Sequence, residues 1–424
     1  MKKFLVVMVV LALVGLSSIA LAADVSVGGS VQIRSRDFND LSFDKNAANT
    51  STKNQVDTQE RIILNVNAKA GDDVKGKISL WNDFTDWGSN GLDKNFGGPF
   101  GSSTSGLIAN SGSNGAFGFR EAWVSFNMPG IPVNVTSGHQ LLQLGDGWFL
   151  RSMHFGSEAW VVANVTGNNT FAVADIKVSE GANVAITSDD VDAYAILDVL
   201  KLNDAATVGV SLGNAHLGSG NDLYDLGLNF AGKLGPVNLK AQADVQTGKN
   251  KASGSAVQPK YSGNEIAIKG NVPMDAVTIN FLVGMGSGKK ATDTDNKQFV
   301  TFLDVDPHYT FLYEYKLATA GGPAHTGLSN TTVASVGASF AASKSLTVGA
   351  DVYYLQATQK ITNGVGTQSS DVGTELDANV KWKLYDNLSW NWDLGYFKPG
   401  AAFKTAAGKT DAATGIMGVL GFNF

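Results

Sequence analysis

The chain has 424 residues, no cysteine, 49 glycines and only 9 prolines, and its formal net charge is −6 at pH 7. The lack of cysteine excludes a fold held by disulfides, and the acidic balance argues against nucleic acid as a partner. Charged residues make up 17% of the chain, and the mean hydropathy is close to zero at −0.01. This balance is unusual for a soluble protein of this size and suits a barrel with a lipid-facing exterior and a wet interior.

The N-terminus has the features of a secretory signal peptide. Lys2-Lys3 is followed by an apolar run over residues 4–21, and Ala20-Leu21-Ala22 provides the small-x-small site after which such peptides are cleaved. A retained transmembrane anchor is the alternative, but the small residues and the strand-like pattern that follows favour cleavage after Ala22. We therefore expect residues 1–22 to be a signal peptide and residues 23–424 to be a single transmembrane β-barrel domain.

Beyond this segment, apolar and polar residues alternate with a period of two, which is typical of strands with one apolar and one polar face. The alternation begins at residues 25–33, returns at residues 223–230 and 236–246, and is clearest at residues 375–384. No segment of similar length has the 3.6-residue period of a helix. The runs are about 9–13 residues long, which is the length that a tilted strand needs to cross a bilayer.

Short and long connections alternate between these runs. Short turns are predicted at residues 71–73, 129–132, 167–169, 202–204, 234–236, 273–275, 343–345 and 385–387. Long polar loops are predicted at residues 39–55, 87–115, 246–264, 287–330 and 398–415. The predicted fold is all-β: a transmembrane antiparallel up-and-down β-barrel of ~18 strands, with sixteen as the alternative, short periplasmic turns, long external loops and both termini in the periplasm.

One of the long loops is aromatic in its middle, unlike the others. It spans residues 287–330 and contains Phe299, Phe302, Tyr309, Phe311, Tyr313 and Tyr315. Because so apolar a loop is unfavourable in water, we expect it to pack on the rim or to fold into the mouth of the barrel. A further pair of strands in this region is the alternative.

Aromatic residues and the end of the chain fit the same architecture. Trp382, Trp390 and Tyr396 occupy outward positions near the two expected membrane interfaces, where such barrels carry aromatic girdles. The alternating segment 418–424 ends on Phe424, and this ending resembles the one that the barrel-assembly machinery reads in many outer-membrane barrels. The expected partners are therefore outer-membrane lipids and this machinery.

Residues 138–140 (Gly-His-Gln) are followed closely by residues 144–147 (Leu-Gly-Asp-Gly). This pair of motifs is similar to a Gly-Arg-Gln and Gly-Asp-Gly stretch of the alginate-export-type family of outer-membrane β-barrel porins. Residues 302–315 with 327–330 resemble its aromatic external loop, and residues 373–400 resemble its C-terminal hairpin. The resemblance covers most of the mature chain and implies an 18-stranded channel.

The resemblance has one departure that bears on the substrate. His139 stands where the family has a lumen arginine. In polysaccharide-exporting members an arginine-rich pore suits polyuronates. The resemblance therefore implies the fold and the channel role more strongly than it implies alginate.

The side chains that face the bore of a channel set its selectivity through size and local field. Along each predicted strand, every second residue faces the bore, and we call this alternation strand parity. Parity and the family resemblance predict that these basic or histidine residues line the bore: Arg34, Arg36, Arg61, Lys69, Lys75, Lys77, His139, Arg151, Lys177, Lys240, Lys269, Lys381 and Lys383. The acidic candidates are Asp83, Glu121, Asp192, Asp198, Asp225, Asp244, Asp351, Glu375, Asp377 and Asp393. The expected bore is therefore mixed in charge.

The arginines are unevenly distributed. All five lie in the first 151 residues, and three of them fall on the first two predicted strands, at Arg34, Arg36 and Arg61. Arginine binds carboxylates and phosphates through two parallel donors, so this group predicts an anion-attracting patch. The alternative is structural: the three arginines pair across the bore with Glu60, Glu121 and Asp83. Arg120 has outward parity, so we expect it near the rim or at a bulge.

The leading function is an outer-membrane channel for passive diffusion of small hydrophilic solutes, anionic ones among them. Substrate-specific export of an anionic polysaccharide is the second interpretation, and an outer-membrane enzyme or an adhesive barrel is a third, from another class. Ser152 and His154 are close in sequence, but no orienting third group is visible, so we expect no enzyme. The histidines lack metal-ligand spacing, so no metal or cofactor is expected.

Overall fold

The structure is a computed structural model of the chain. It describes residues 23–47, 53–86, 118–180, 190–217, 220–249, 259–290, 292–303, 308–315 and 327–424. The predicted signal peptide and the predicted long loop at residues 87–115 lie outside the described residues. In the described part of the chain, no helix is both long and apolar enough to cross a membrane.

Nineteen strands are defined in these residues. In chain order they are β1 (Ala23–Asn39), β2 (Gln55–Ala70), β3 (Val74–Asp86), β4 (Gly118–Asn127), β5 (Val133–Gln143), β6 (Arg151–Thr166), β7 (Asn169–Ser179), β8 (Val191–Asn203), β9 (Ala206–Leu217), β10 (Asp222–Leu234), β11 (Val237–Lys249), β12 (Lys260–Tyr261), β13 (Asn264–Met274), β14 (Val277–Gly286), β15 (Thr331–Ala341), β16 (Leu346–Thr362), β17 (Gln368–Tyr385), β18 (Leu388–Pro399) and β19 (Ala413–Asn423). One turn of 3₁₀ helix, Ala401–Phe403, lies between β18 and β19.

The strands form one antiparallel sheet that closes on itself. Each strand pairs with its neighbours in the chain, and β1 also pairs with β19, from Ser30 opposite Asn423 to Asn39 opposite Thr414. The two-residue β12 only adds two pairs to the end of β11, which pairs with β13 along its length. Eighteen strands therefore make the barrel wall, which confirms the predicted up-and-down barrel, and the alternative of sixteen strands is wrong.

The seam of the barrel depends on a glycine and on the last residue of the chain. The Gly29 N–H donates to the Phe424 carbonyl at 2.9 Å, and the Phe424 N–H donates back to Gly29 at 3.0 Å. A Cβ atom on residue 29 would clash with the carbonyl oxygen of Ile63 on β2 and would lie 2.8 Å from the Phe424 ring. Glycine at this position therefore lets three strands approach each other at the point of closure.

Strand alternation gives the barrel an apolar outer face. On β10, Leu226 is 51% exposed on the outside, whereas its neighbour Asp225 is 3% exposed on the inside. Trp382, Trp390 and Tyr396 also lie on the outer face with exposed rings, as their parity predicted. A lipid environment accounts for large apolar side chains that are exposed all along the strands.

The eight predicted short turns all join strands at one end of the barrel, and the long connections that the structure describes lie at the other end. In the described part of residues 287–330 there are no strands, only isolated bridges from Leu150 to Phe302 and from Tyr261 to Asn296. The predicted alternative of an extra strand pair is therefore not found there. Instead, the apolar core lies inside the barrel, where this loop packs against the wall.

Candidate functional site: the bore and the two loops folded into it

The connection between β5 and β6, residues 144–150, turns into the barrel, and we call it inner loop 1. Its Trp148, Phe149 and Leu150 are each 1% exposed. The Phe149 ring lies against Gly213 of β9, where any side chain would clash with it. Inner loop 1 therefore crosses the bore from its own strands to the wall around β9.

Inner loop 1 is fixed to this wall by Asp146. The Asp146 N–H donates to Gln242 of β11 at 2.5 Å, and its carboxylate forms ion pairs with Lys240, at 2.9 Å, and with Lys269. The Lys269 ammonium also lies 5.5 Å from the centre of the Trp148 ring. Strand parity had placed these two lysines in the bore. The carboxylate of inner loop 1 thus neutralises part of their positive charge.

In the β14–β15 connection, residues 299–303, 308–315 and 327–330 pack inside the barrel, and we call them inner loop 2; residues 292–298 are exposed or half-buried. The Phe302 N–H donates to the Phe149 carbonyl at 2.6 Å, and the Arg151 N–H donates to Phe302 at 3.2 Å. The His308 ring stacks on Trp148, with ring centres 4.6 Å apart. The two inner loops therefore contact each other directly and narrow the bore together.

Inner loop 2 is held by two carboxylates of β17. Glu375, which is fully buried, accepts the N–H of Leu312 at 2.5 Å and the N–H of Tyr313 at 2.8 Å. Asp377 accepts the N–H of Phe311 at 3.0 Å. Because three successive backbone N–H groups of the loop find their acceptors on these two side chains, this cradle fixes the position of the aromatic segment.

Two of the three clustered arginines are paired with carboxylates. The Arg36 guanidinium binds Asp57 through two hydrogen bonds of 2.8 Å, and Arg61 binds Asp83 at 2.7 Å. The predicted partners were only partly right. Glu60 is opposite the outward-facing Ile33 in the register, and Glu121 instead pairs with Lys77.

Arg34 has a different environment. Its Nε donates to the Gln59 side chain at 2.6 Å and its Nη1 to the Tyr315 hydroxyl at 3.4 Å. Its guanidinium lies 3.3 Å from the centre of the Phe84 ring, and Arg61 lies over the same ring at 3.8 Å. Among the described residues, no carboxylate forms an ion pair with Arg34, so its charge is the least compensated of the three.

Arg120 is the extra residue of a bulge in β4, where the register with β3 shifts between Glu121 and Phe119. Its guanidinium lies 5.6 Å from the centre of the Trp81 ring and donates to the Met153 carbonyl at 2.9 Å. The bulge turns this side chain toward Trp81, which is 3% exposed, and therefore explains why simple parity placed it on the outer face.

A buried acidic cluster lies on the opposite wall, with Asp225, Asp244 and Glu265 each at most 3% exposed. Gln242 donates to Asp244 at 2.6 Å, and Gln246 donates to Asp225 at 3.2 Å. Both oxygens of Glu265 and one of Asp244 are buried without a hydrogen-bond partner. In the described ranges, no set of three or more acidic, histidine or cysteine residues is arranged to hold a metal ion.

A cavity of about 700 Å³ adjoins inner loop 2 inside the barrel. Its lining includes His308 and Tyr309 of the loop, and Lys240, Lys269 and Asp351 of the wall. Side chains of both signs therefore line this part of the bore. Three other residues predicted to line the bore lie near the short turns: Lys69, Lys75 and Lys381. Another predicted lining residue, Asp393 of β18, lies opposite Asn379 of β17.

His139 and Asp192 do not face the bore, contrary to expectation. His139 lies opposite Glu158 and contacts it at 3.2 Å, and Asp192 shares its face of β8 with Tyr194, which is 51% exposed on the outside. The family resemblance had placed His139 in the bore, whereas strand alternation had placed Asp192 there. Alternation failed on β8 because the inner loops make its inward face apolar; the inward residue Ala193 is 1% exposed. Two further candidates also lie on the outer face: Lys177 and Asp198.

Inner loop 1 was harder to predict from the sequence than inner loop 2. Its only signal is the apolar run Trp148-Phe149-Leu150 directly after Gly145-Asp146-Gly147, which is unusual in an external loop. Ser152 and His154 make separate contacts: the Ser152 hydroxyl bonds to Ser157 at 2.8 Å, and His154 Nε2 lies 2.8 Å from Asp83.

Comparison with known proteins agrees with this geometry. The family model for Gram-negative porins matches residues 9–373 of the chain. A comparison with curated proteins gives no match.

Solved structures with a similar fold include three channels from Pseudomonas. OccK8 (OprE) of Pseudomonas aeruginosa is 12% identical with a TM-score of 0.56, and a BenF-like porin of Pseudomonas fluorescens Pf-5 is 12% identical with a TM-score of 0.58; each alignment covers 95% of this chain and 98% of the other. OpdK of P. aeruginosa, in a structure with vanillate, is 10% identical with a TM-score of 0.55 over 94% of this chain and 98% of the other.

Proposed function

The chain belongs to the Gram-negative porins and is an outer-membrane channel for the passive diffusion of small hydrophilic solutes, and we propose that the solutes it favours carry a carboxylate or a similarly small anionic group. The observation that carries the proposal is the environment of Arg34. Its hydrogen-bond partners are the neutral side chains of Gln59 and Tyr315, whereas Arg36 and Arg61 are matched by Asp57 and Asp83.

This arrangement suits transient anion binding. A guanidinium keeps its charge at any working pH and offers donors in the planar geometry that a carboxylate accepts. Arg34 is held in place by stacking on Phe84, so little conformational freedom is lost when an anion approaches. In a narrow bore, nearby charges dominate the field, and one uncompensated arginine raises the local concentration of anions although the whole chain is acidic.

The width of the bore and one of the structures with a similar fold also support small anionic solutes. The two inner loops restrict the bore to small molecules, and Lys240 and Lys269 line the adjoining cavity. OpdK, which has the same fold, has been determined with vanillate, an aromatic carboxylate. Vanillate itself is not implied here, because the identity of 10% carries the fold alone.

Export of an anionic polysaccharide, which the alginate-export-type resemblance suggested, is the weaker proposal. A polymer in transit needs one continuous opening, and inner loops 1 and 2 lie across the bore of this barrel. The arginine-rich lining that suits polyuronates is also reduced here, since Arg36 and Arg61 are occupied by carboxylates.

Replacing Arg34 by glutamine tests the proposal. In planar bilayers with a KCl gradient at low salt, we expect the wild-type reversal potential to favour anions and that of Arg34→Gln to move toward cations. The shift should nearly disappear at 1 M salt, where the screening length is about 3 Å. The double variant Arg36→Gln/Asp57→Asn is the matched control, because it removes one charge of each sign and should shift the potential far less.

An unchanged reversal potential in folded Arg34→Gln would contradict the anionic solute. A barrel that inserts without forming ohmic pores would contradict the channel itself and would favour an adhesive barrel or an enzyme.

We further propose that residues 1–22 are a signal peptide removed after Ala22, which leaves residues 23–424 as one barrel domain in the outer membrane. The support is the small-x-small site and the start of β1 at Ala23. N-terminal sequencing of the outer-membrane fraction should begin at Ala23, and retention of Met1 would refute the proposal.

A further inference from the structure

A row of charged side chains runs across the outer face of the barrel near the long-loop end, and we call it the charged row. Its members lie on successive strands from β5 to β12, and each is the direct register partner of the next: His139, Glu158, Lys177, Asp192, His216, Asp222, Lys249 and Lys260. Basic and acidic residues alternate along the row until its last step, where two lysines stand opposite each other.

Most residues of the charged row have a partner of opposite type within the chain. Three steps are close contacts between a base and an acid: His139 with Glu158 at 3.2 Å, Lys177 with Asp192 at 3.1 Å, and His216 with Asp222 at 2.8 Å. Opposite charges in directly opposed positions stabilise neighbouring strands. These six residues are therefore explained by the sheet itself and need no external partner.

The neighbouring rows show where the charged row lies in the membrane. Two residues further into each strand, the outer face carries Trp160, Tyr194 and Tyr224, which are all about half exposed. The next row is aliphatic and consists of Ile196, Leu212, Leu226 and Val245 in direct register. Tryptophan and tyrosine mark the membrane interface, so the Lys249 end of the row, which lies two residues beyond Tyr224 and its register partner Thr247, is at the height of the lipid headgroups of the outer leaflet.

The two lysines at the β11–β12 end of the charged row have no ion-pair partner among the described residues. Lys249 and Lys260 are both exposed, and neither ammonium forms an ion pair within the described ranges. The neighbouring acid Asp222 is bonded to His216, and Asp295 accepts the backbone N–H of Lys260. Like charges in directly opposed positions destabilise a sheet, so this pair has a cost that nothing described in the chain offsets.

An apolar groove of about 310 Å³ begins on the membrane side of the two lysines. Val245 and Thr247, which precede Lys249 on the outer face of β11, form one side of it. The other lining residues include Tyr194, Leu212, Tyr224 and Leu226. A basic pair at headgroup height thus adjoins an apolar groove at the height of the acyl chains.

We propose that this surface binds a phosphorylated lipid of the outer leaflet, with its phosphate between Lys249 and Lys260 and an acyl chain in the groove. A phosphate monoester carries close to two negative charges near neutral pH, which matches the two ammonium groups. The chain of the same molecule buries the exposed aliphatic side chains of the groove. One ligand therefore offsets both the unmatched charge and the exposed apolar surface.

A second copy of the chain is the competing occupant. Its sheet would have to place a carboxylate against the lysines and an apolar ridge in the groove at once. On the outer face of these strands, the acids of the charged row are already paired with bases, and Asp175 is a single exposed acid set between the rings of Trp160 and Tyr194. Charge complementarity therefore favours the lipid.

Native mass spectrometry of the full-length mature protein in mild detergent tests the proposal. The probes are a bis-phosphorylated, multiply acylated glycolipid (lipid A), phosphatidylcholine and inorganic phosphate. We expect lipid A to remain bound to the wild type, and phosphatidylcholine and inorganic phosphate to be lost. Lys249→Gln/Lys260→Gln should bind lipid A about 30-fold more weakly, from the energy that each lysine contributes at an anionic membrane surface.

The matched control is Lys404→Gln/Lys409→Gln, which removes the same charge from the exposed β18–β19 loop and should keep wild-type affinity. Val245→Ser should weaken lipid A binding while leaving the phosphate-binding lysines in place. Unchanged single-channel conductance and heat-modifiable migration of all variants would show that each is folded. Equal lipid A binding by wild type and Lys249→Gln/Lys260→Gln, or a protein dimer in place of a lipid adduct, would overturn the proposal.

Discussion

Glu375 and Glu265 are both inward-facing glutamates buried in the wall of one barrel, yet their surroundings are opposite. Glu375 of β17 is 0% exposed, and its two oxygens accept the N–H groups of Leu312 and Tyr313. Glu265 of β13 is 3% exposed, its oxygens have no hydrogen-bond partner, and it lies directly opposite Asp244. Residue type and burial are therefore matched, and only the partners differ.

The difference separates two uses of a buried carboxylate. A buried charge costs free energy unless hydrogen bonds or an opposite charge replace its hydration. Glu375 meets this condition and fixes inner loop 2, so it contributes to the shape of the bore. Glu265 does not meet it, so the barrel tolerates the residue at the expense of stability. The same substitution should therefore have opposite effects at the two positions.

The largest loss of stability should follow the replacement of a third kind of buried carboxylate, one that forms an ion pair with a cation. Asp57→Asn removes the opposite charge of Arg36, which is 7% exposed, and leaves it only neutral acceptors such as the Tyr315 hydroxyl and the amide oxygen. Breaking one side of a buried ion pair costs about 3–5 kcal/mol, because the remaining charge stays buried without an opposite charge. We expect the urea midpoint of unfolding in lipid vesicles, followed by tryptophan fluorescence, to fall accordingly.

Asp72→Asn is the control for this prediction. Asp72 pairs with Lys69 at 2.8 Å in a fully solvated turn, and the hydrogen bond from Lys69 lowers the pKa of the Asp72 carboxyl below its ordinary value. Because the pair is exposed, its loss should leave the urea midpoint unchanged. An equal fall in both variants would mean that burial does not decide the importance of these carboxylates.

Glu375→Gln should have an intermediate effect, on stability and on conductance. Glutamine keeps one acceptor oxygen, so at least one of the two hydrogen bonds to inner loop 2 is lost and a buried N–H group is left without an acceptor, at about 1–3 kcal/mol. The aromatic segment should then move more freely, and single-channel recordings should show a larger and noisier conductance than the wild type.

Asp393→Asn is the matched control for conductance, since it removes one inward negative charge from the neighbouring strand β18 without touching the cradle of Leu312 and Tyr313. It should change ion preference but not the noise. Equal noise in both variants would show that charge, and not the anchoring of the loop, governs the current.

The faces of most strands were predictable from the sequence, because one face meets lipid and the other meets water. On β10 and β17 the alternation of Leu226 with Asp225, and of Leu376 with Glu375, predicted the faces correctly. The rule failed on β8, where inner loops fill the bore and the inward residue Ala193 is apolar. When the surroundings of a strand's two faces differ from one part of the strand to another, the alternation of polar and apolar residues cannot show which face lies toward the bore.

The details of the site were less predictable, because they depend on contacts between distant segments. The sequence marked Arg36 and Arg61 but gave the wrong acid for the first, since pairing with Asp57 follows from the register of β1 with β2. The position of Tyr315 beside Arg34 joins residues 281 apart in the chain. No local pattern could have predicted such a contact.

Glu265→Gln should have the smallest effect, and of opposite sign. Glu265 and Asp244 stand directly opposite each other, and two buried carboxyl groups in this relation cannot both stay ionised without a large cost. A glutamine amide at residue 265 donates to the Asp244 oxygen that now lacks a partner, so Asp244 can stay ionised with a hydrogen bond. We expect the urea midpoint to rise by the equivalent of about 1 kcal/mol, with conductance unchanged because Glu265 is buried in the wall. Destabilisation by Glu265→Gln as large as that by Glu375→Gln would show that the acid at residue 265 has a stabilising role, and the contrast between the two glutamates would no longer hold.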